Sequence, residues 1–98
     1  YHAAAVIASN HLVALMGQVE RVSAGVGVPR AAMIDLARGS LDNVATIGAA
    51  AALTGPVARG DEATIERHRA ALPGDERALY DALVDAARRL VQERDDRT

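Results

Sequence analysis

No Asp, Glu, Lys or Arg occurs in the chain before Glu20. Apolar residues lie on nearly every side of the helix that this segment predicts, from Ala3 to Met16. A helix that is apolar all round belongs in the centre of a core, with other helices packed about it. Ser9, Asn10 and His11 interrupt the apolar run, and His2 stands at its head. Because a buried polar group without a partner costs about 1–3 kcal/mol, we expect these side chains to be satisfied within the fold or by a ligand.

Glycine and proline divide the next part of the chain. The opening helix, predicted from residue 1 to about 23, should end at 24–27, and Pro29 suits the first turn of a second helix. Apolar residues then recur at helical spacing from Ala31 to Leu53, interrupted by Gly39 and Gly48. An interior glycine costs about 1 kcal/mol relative to alanine. We therefore expect one long kinked helix or two shorter ones, with the kink at residues 38–40.

Two further helices are predicted after a turn at residues 54–60. Asp61 is a good N-cap for a helix from Glu62 to Leu72, and Asp75 is expected to cap a last helix from 76 to about 94, with a frayed tail at 95–98. The last helix should pack through one apolar face, which consists of Leu79, Leu83, Ala86, Ala87 and Leu90. Its charged side is spaced for the pairs Arg77–Asp81, Asp85–Arg89 and Arg89–Glu93.

The chain shows neither strand-like alternation nor an internal repeat, so the predicted class is all-α, a compact multi-helix bundle around a central apolar first helix. Its 98 residues suit one domain. The chain does not begin with Met, and its first residues already have the pattern of a helix. We therefore expect residues 1–98 to be a fragment or excised domain with sequence missing upstream.

Composition limits the partners. A net charge of −2 argues against nucleic acid, and the polar residues within the first helix argue against a membrane span. The absence of cysteine excludes disulfides and thiolate chemistry and is consistent with a reducing cytosol. The three histidines are too scattered to predict a metal site. One of them, His68, is expected to be a partly buried structural histidine on the helix after Asp61.

Helical spacing places a first candidate site on the opening helix. His2, Val6 and Asn10 follow one another at intervals of four residues, which puts them within about 80° of one another on a regular helix. An imidazole and an amide on one face could give a substrate carbonyl a proton and a hydrogen bond. The alternative is that Asn10 satisfies a backbone carbonyl of a neighbouring helix and that His2 lies in solvent.

A second candidate site is the turn at residues 53–61, which holds Arg59 between two helix ends. Arginine suits bidentate binding of a carboxylate, and the N-terminus of the helix that Asp61 caps adds a favourable field for an anion. The alternative is a tight turn between helices in which Arg59 pairs with a helix C-terminus.

Three blocks, in the same order, resemble one family. They are Tyr-His-Ala-Ala-Ala-Val-x-Ala-Ser-Asn at 1–10, Leu-Ala-Arg-Gly-Ser-Leu-Asp-Asn at 36–43, and Leu-Thr-Gly-Pro-Val-Ala-Arg-Gly-Asp-x-x-Thr-Ile-x-Arg-His at 53–68. The family is the C-terminal helical domain that follows a Rossmann-like, NAD(P)-binding domain in bacterial proteins related to ketopantoate reductase and pyrroline-5-carboxylate reductase. The resemblance implies a fold similar to the C-terminal domain of phosphogluconate dehydrogenase, which closes the active-site cleft and usually forms the dimer.

The resemblance also implies roles for single residues. Ketopantoate reductases carry on this helix a catalytic lysine, followed by asparagines four and eight residues later. His2 falls at the lysine, Val6 at the first asparagine and Asn10 at the second. His2 would then be the proton donor and Asn10 would orient the substrate. An imidazole has an unperturbed pKa of about 6.5 against about 10.4 for a lysine ammonium, and Val6 cannot form a hydrogen bond.

The leading hypothesis is the substrate and dimerisation domain of a cytoplasmic NAD(P)-dependent reductase of small keto or imino acids. His2 would be catalytic, while Asn10, Ser9 and Arg59 would bind the substrate. The fragment alone should be inactive because it lacks a Gly-x-Gly-x-x-Gly fingerprint, so NAD(P) would be bound mainly by the missing domain. A homodimer is expected. The alternative is a helical dimerisation or metabolite-sensing module without catalysis.

Overall fold

A computed structural model describes the chain from Tyr1 to Arg97, and Thr98, the end of the predicted frayed tail, lies outside the described residues. Helices joined by turns make up residues 1–97, and no strand occurs among them. The predicted all-α class is therefore confirmed. The chain divides into two units, residues 1–38 and 39–98.

The first unit opens with one run of helix in three parts. Helix α1 spans His2–Val6, a π-helical segment spans Ile7–His11, and helix α2 spans Leu12–Gly25. The run ends where the glycines predicted it: Gly27 has a φ of 74°, and the Val28 amide donates to the Ser23 carbonyl (3.0 Å). Helix α3 begins at Arg30, directly after Pro29, as a proline near a helix start favours.

Burial of the opening helix differs from the prediction that other helices surround it. Residues 1–14 are exposed, and the side chains of Ile7 and Val13 are 59% and 72% accessible. Buried positions begin only at Gln18 and Ser23, in the C-terminal part of α2. An apolar helix needs cover, but its sequence does not say whether the same chain provides it.

Helix α3 is continuous over Arg30–Ile47, so the predicted kink at residues 38–40 is wrong. The break falls instead at Gly48, which has φ 81° and ψ 164° and stands before the short helix α4, Ala49–Ala52. A residue with a Cβ hardly ever adopts this backbone conformation. Gly39 lies within α3 with ordinary backbone angles, which explains why one glycine ends a helix and the other does not.

These two glycines give a matched pair of substitutions. Gly48→Ala is expected to lower the free energy of unfolding by about 1–3 kcal/mol, because alanine is strained at this φ and ψ. Gly39→Ala is expected to raise it by about 0.5–1 kcal/mol, because its Cβ meets nothing within 4 Å and alanine favours the helix. Urea unfolding followed by circular dichroism measures both. Equal effects of the two substitutions would contradict this account of the break.

The second unit packs three helices around a small core. After α4 come helix α5, Glu62–Ala71, a 3₁₀ turn at Gly74–Glu76 and helix α6, Arg77–Asp96. The buried apolar residues are Ala50, Ile65 and Val84, one from each of α4, α5 and α6. The core therefore joins the last two helices to the short helix that precedes the turn at 54–60.

Helix α6 packs through a face that agrees with the predicted one only in part. Of the predicted residues, Ala87 and Leu90 are half-buried, whereas Leu79 and Leu83 are 39% and 41% accessible and Ala86 is exposed. The buried residue is Val84, flanked by the half-buried Tyr80 and Val91, none of which was predicted. Helical periodicity finds apolar stripes, and α6 has two of them, so periodicity alone could not choose. The helix also begins at Arg77, after the 3₁₀ turn that contains Asp75, so Asp75 is not its cap.

Ion pairs on α6 agree with the prediction at one of three positions. Arg89 lies 3.7 Å from Glu93, as predicted. Asp81 pairs with Arg69 of α5 (3.0 Å) rather than with Arg77. Asp85 pairs with Arg88 (3.2 Å) rather than with Arg89. The Arg69–Asp81 bridge links neighbouring helices, which spacing along one helix cannot reveal.

Candidate functional site

The π-helical segment Ile7–His11 contains three of the polar residues that interrupt the apolar opening helix. A π turn closes each hydrogen bond over five residues instead of four, and such turns within α-helices frequently occur at functional sites. All of these residues are exposed. Their polar groups therefore do not lie within a core, and the π-helical irregularity falls on the candidate site.

Ser9 and Asn10 form a local hydrogen-bonded pair on this segment. The Ser9 hydroxyl is within donating distance of two acceptors, the Ala5 carbonyl oxygen (2.6 Å) and Asn10 Oδ1 (3.0 Å), and its single proton bonds to one of them at a time. With its oxygen toward Ser9, the Asn10 amide directs its NH₂ group, which can only donate, away from Ser9. Asn10 is thus an exposed side chain held by its neighbour rather than buried at the carbonyl of another helix.

His2 lies in the first turn of α1, where it is exposed and its ring centroid is 5.7 Å from that of Tyr1. Eight positions separate His2 from Asn10, and the π-helical segment contains Asn10. The predicted common face assumes a rotation of about 100° per residue throughout, which holds only for a regular α-helix. The structure brings Ser9 and Asn10 into contact, while the common face with His2 remains a prediction.

Arg59 belongs to the second unit, on a turn closed by three backbone hydrogen bonds. The amides of Arg59, Gly60 and Asp61 donate to the carbonyls of Gly55 (3.2 Å), Val57 (3.1 Å) and Pro56 (2.8 Å). Positive φ angles at Gly55 (89°) and Gly60 (66°) allow the chain to reverse so tightly. The Arg59 side chain is 61% accessible, and its Nη2 lies 3.6 Å from Asp61 Oδ2.

Asp61 caps helix α5, as predicted. Its Oδ1 accepts from the Thr64 amide (3.1 Å), and its Oδ2 accepts from the Thr64 hydroxyl (2.7 Å). These two hydrogen bonds, and to a lesser extent the nearby Arg59, lower the pKa of the Asp61 carboxyl. The carboxylate therefore fixes the start of α5 and, with it, the end of the turn that carries Arg59.

Replacing Asp61 should lower the thermal stability of the protein. Asp61→Ala removes the cap and is expected to lower Tm by about 5 °C. Because the folded-state pKa is lowered, the contribution of the ionised carboxylate is complete above the ordinary value of 3.8 and is lost as the pH falls through the folded-state pKa. Asp61→Asn keeps a capping oxygen but cannot titrate. The Tm advantage of the native protein over Asp61→Asn should shrink below pH 3.8; an advantage that is constant with pH would contradict the role of ionised Asp61.

The sequence analysis did not identify Arg94 as a candidate residue. Its guanidinium, on α6, donates to the backbone carbonyls of Ala50 and Leu53 at the C-terminal end of α4. This is the role that the alternative interpretation gave to Arg59, pairing with a helix C-terminus. The two ends of the contact lie far apart in the chain, so no local pattern could have found it.

Other polar groups lie outside these sites. His68 is exposed rather than partly buried, and its Nδ1 lies 3.3 Å from the Tyr80 hydroxyl.

Residues 1–97 contain no group of three His, Asp or Glu side chains placed to hold a metal ion. In the same range, no helix combines the length and apolarity needed to cross a bilayer.

Comparison with known proteins gives one family and one solved structure. Protein TM1727 from Thermotoga maritima, known from a crystal structure, is 34% identical to this chain and superposes with a TM-score of 0.85. The match covers 96% of this chain but 40% of that protein, so this chain spans well under half of its relative's length. No curated protein matches the sequence. Residues 1–87 match the family described as Domain of unknown function (DUF2520), and the chain belongs to that family.

Proposed function

We propose that this chain is the C-terminal substrate and dimerisation domain of a cytoplasmic NAD(P)-dependent reductase that acts on a small keto or imino acid. The three sequence blocks that resemble this kind of domain support the proposal. The length of the relative from Thermotoga maritima supports it as well. The match covers 40% of that protein, and the remainder leaves room for a cofactor-binding domain.

The observation that carries the proposal is the π-helical segment of the opening helix. It falls on the segment where the resemblance places substrate-binding residues, and it presents the Ser9–Asn10 pair to solvent. A regular apolar helix with no function would gain nothing from this irregularity. The exposed Asn10 amide can donate to the carbonyl or imine of a substrate that binds there.

The chemistry assigned to this chain is proton donation and substrate binding. Reduction of a 2-oxo acid adds a hydride to the carbonyl carbon, which the nicotinamide supplies when bound, and a proton to the oxygen. His2 donates that proton, and Asn10, supported by Ser9, orients the carbonyl. The sequence prediction assigns the substrate carboxylate to Arg59, whose exposed guanidinium matches the planar geometry of that group.

Residues 1–97 are not suited to hold the cofactor themselves. They include no strand that leads through a glycine-rich turn into a helix, the arrangement that binds a dinucleotide pyrophosphate. In this proposal the cofactor is bound by the upstream domain that the sequence resemblance implies, and none of residues 1–97 is assigned to it.

Exposed apolar side chains on the opening helix support a homodimer, in which a second copy covers them. Four of them stand within residues 6–13, and these are Val6, Ile7, Leu12 and Val13. Val13→Glu is expected to shift the protein from dimer to monomer in size-exclusion chromatography with light scattering. Val26→Glu, on an equally exposed valine outside this patch, is the control. A native protein that is monomeric at high concentration would contradict the proposal.

Steady-state oxidation of NADH and NADPH by the full-length protein tests the proposed activity. Pyruvate, 2-oxobutanoate and 1-pyrroline-5-carboxylate represent 2-oxo acids and cyclic imines. Turnover with at least one of them is the expected result. Absence of turnover with all of them would support instead a non-catalytic dimerisation or metabolite-sensing module. The exposed apolar Val6, at a position where the resemblance expects an asparagine, favours that second function.

A further inference from the structure

The side chain of Arg94 joins the last turns of α6 to the end of α4. Its Nε donates to the Ala50 carbonyl oxygen (2.9 Å), and its Nη2 donates to the same oxygen and to that of Leu53 (2.8 Å). Arg94 is half-buried, and Ala50 belongs to the core of this unit. One guanidinium thus satisfies two backbone carbonyls of another helix.

These carbonyls need a partner because they lie at a helix C-terminus. The last carbonyls of a helix find no donor within it, and a cation there is also favoured by the helix dipole. Helix α4 has only four residues, far fewer than a helix needs to be stable by itself. Its C-terminal end is therefore held in place by Arg94.

The chain leaves this point directly into the turn that carries Arg59. Leu53 is the last residue before residues 54–60, and Asp61 ends the turn by capping α5. The turn is accordingly fixed at both ends: by the contact from Arg94 to Leu53 at its start, and by the contact from Asp61 to Thr64 at its end. The Arg59 side chain forms neither of these anchoring hydrogen bonds; it stays exposed, with its Nη2 3.6 Å from Asp61 Oδ2.

We propose that Arg94 is a positioning residue for Arg59: by clamping the C-terminus of α4 it sets the turn that presents the Arg59 guanidinium to the substrate carboxylate. The role of Arg59 toward the substrate carboxylate rests on the proposed function, whereas the clamp that sets the turn does not. Arg94 does not touch the substrate in this account.

Amide hydrogen exchange of the full-length protein, followed by NMR, tests the clamp without any substrate. In Arg94→Met the amides of Arg59, Gly60 and Asp61, which close the turn, should exchange at least about 10-fold faster, while amides in the middle of α5 keep their rates. Arg88→Met is the matched control, since Arg88 also stands on α6 but bonds to Glu62 and Asp85 rather than to α4. Unchanged exchange of the three turn amides in Arg94→Met would overturn the proposal.

Kinetics then separate positioning from general stability. With 2-oxobutanoate as substrate, Arg94→Met should raise KM about 10-fold with little change in kcat or in KM for NADPH. Combined with Arg59→Met, it should add nothing to the effect of Arg59→Met alone; a further rise in KM would show that Arg94 does not act through Arg59 and would overturn the proposal. If Arg59→Met itself leaves KM unchanged, the proposed function loses its carboxylate-binding residue, and the exchange rates still decide the clamp.

A second variant guards against misfolding. Arg94→Lys keeps the charge but presents one ammonium where two carbonyls are held by a planar fork, so it should give an intermediate exchange rate and an intermediate KM. Circular dichroism checks that each variant retains native helix content. Exchange and KM as in the native protein for Arg94→Lys, together with loss of the fold in Arg94→Met, would reduce Arg94 to a stabilising charge and overturn the proposal.

Discussion

Replacing His2 with alanine in the full-length protein is expected to lower kcat/KM for 2-oxobutanoate by about 100- to 10,000-fold. This is the usual contribution of a positioned general acid, and it falls mainly on kcat because the proton moves in the transition state. KM for NADPH should not change, since no cofactor contact is assigned to His2. Stopped-flow or steady-state absorbance at the NADPH band measures the effect.

Two further substitutions sharpen the result for His2. His11→Ala removes another exposed histidine of the same helix and should leave turnover close to native. His2→Lys should retain more activity than His2→Ala, because a lysine ammonium can also donate a proton. Reduction of every accepted substrate at the native rate by His2→Ala would eliminate His2 as the catalytic residue.

Arg59→Met is expected to raise KM for a 2-oxo acid by about 10- to 100-fold, the loss of about 1.5–3 kcal/mol that a hydrogen bond to a charged group contributes. The side chain is exposed and makes one long ion pair, with Asp61 (3.6 Å), so its removal should disturb the fold little. The effect should fall on the carboxylate of the substrate and leave KM for NADPH unchanged.

Arg89→Met is the control for this substitution. Arg89 is also an exposed arginine with a long ion pair, to Glu93 (3.7 Å), but this pair lies within helix α6. Arg59→Lys should recover part of the loss, since lysine keeps the charge but not the bidentate fork. A KM for Arg59→Met equal to that of Arg89→Met would remove Arg59 from the site.

Local chemistry explains why several features could be predicted from the sequence. Glycine and proline determined the end of the opening helix and the start of α3, and Asp61 capped α5 as a residue of its type does. In each case the decisive interaction joins residues close together in the chain. The turn that holds Arg59 belongs to the same class, because its hydrogen bonds close over three to five positions.

Features that depend on distant residues could not be predicted in the same way. The sequence does not say which of the two glycines, Gly39 or Gly48, ends helix α3, and only the backbone conformation distinguishes them. The face of α6 that is buried depends on Ala50 and Ile65, which belong to the two other helices of the same core. Arg94 meets its partners on α4 only in the folded chain. The exposure of residues 1–14 likewise depends on which surfaces pack against them, and their own sequence does not contain that information.

The most direct test of the proposed reductase activity follows the hydride itself. The full-length protein is incubated with 2-oxobutanoate and NADPH that carries deuterium at the C4 position of the nicotinamide, using each C4 stereoisomer in turn, and the 2-hydroxy acid is analysed by mass spectrometry. We predict that one stereoisomer gives a product heavier by one deuterium, with the label on the carbon that bears the hydroxyl. Unlabelled product from both stereoisomers, or no 2-hydroxy acid at all, would contradict the account.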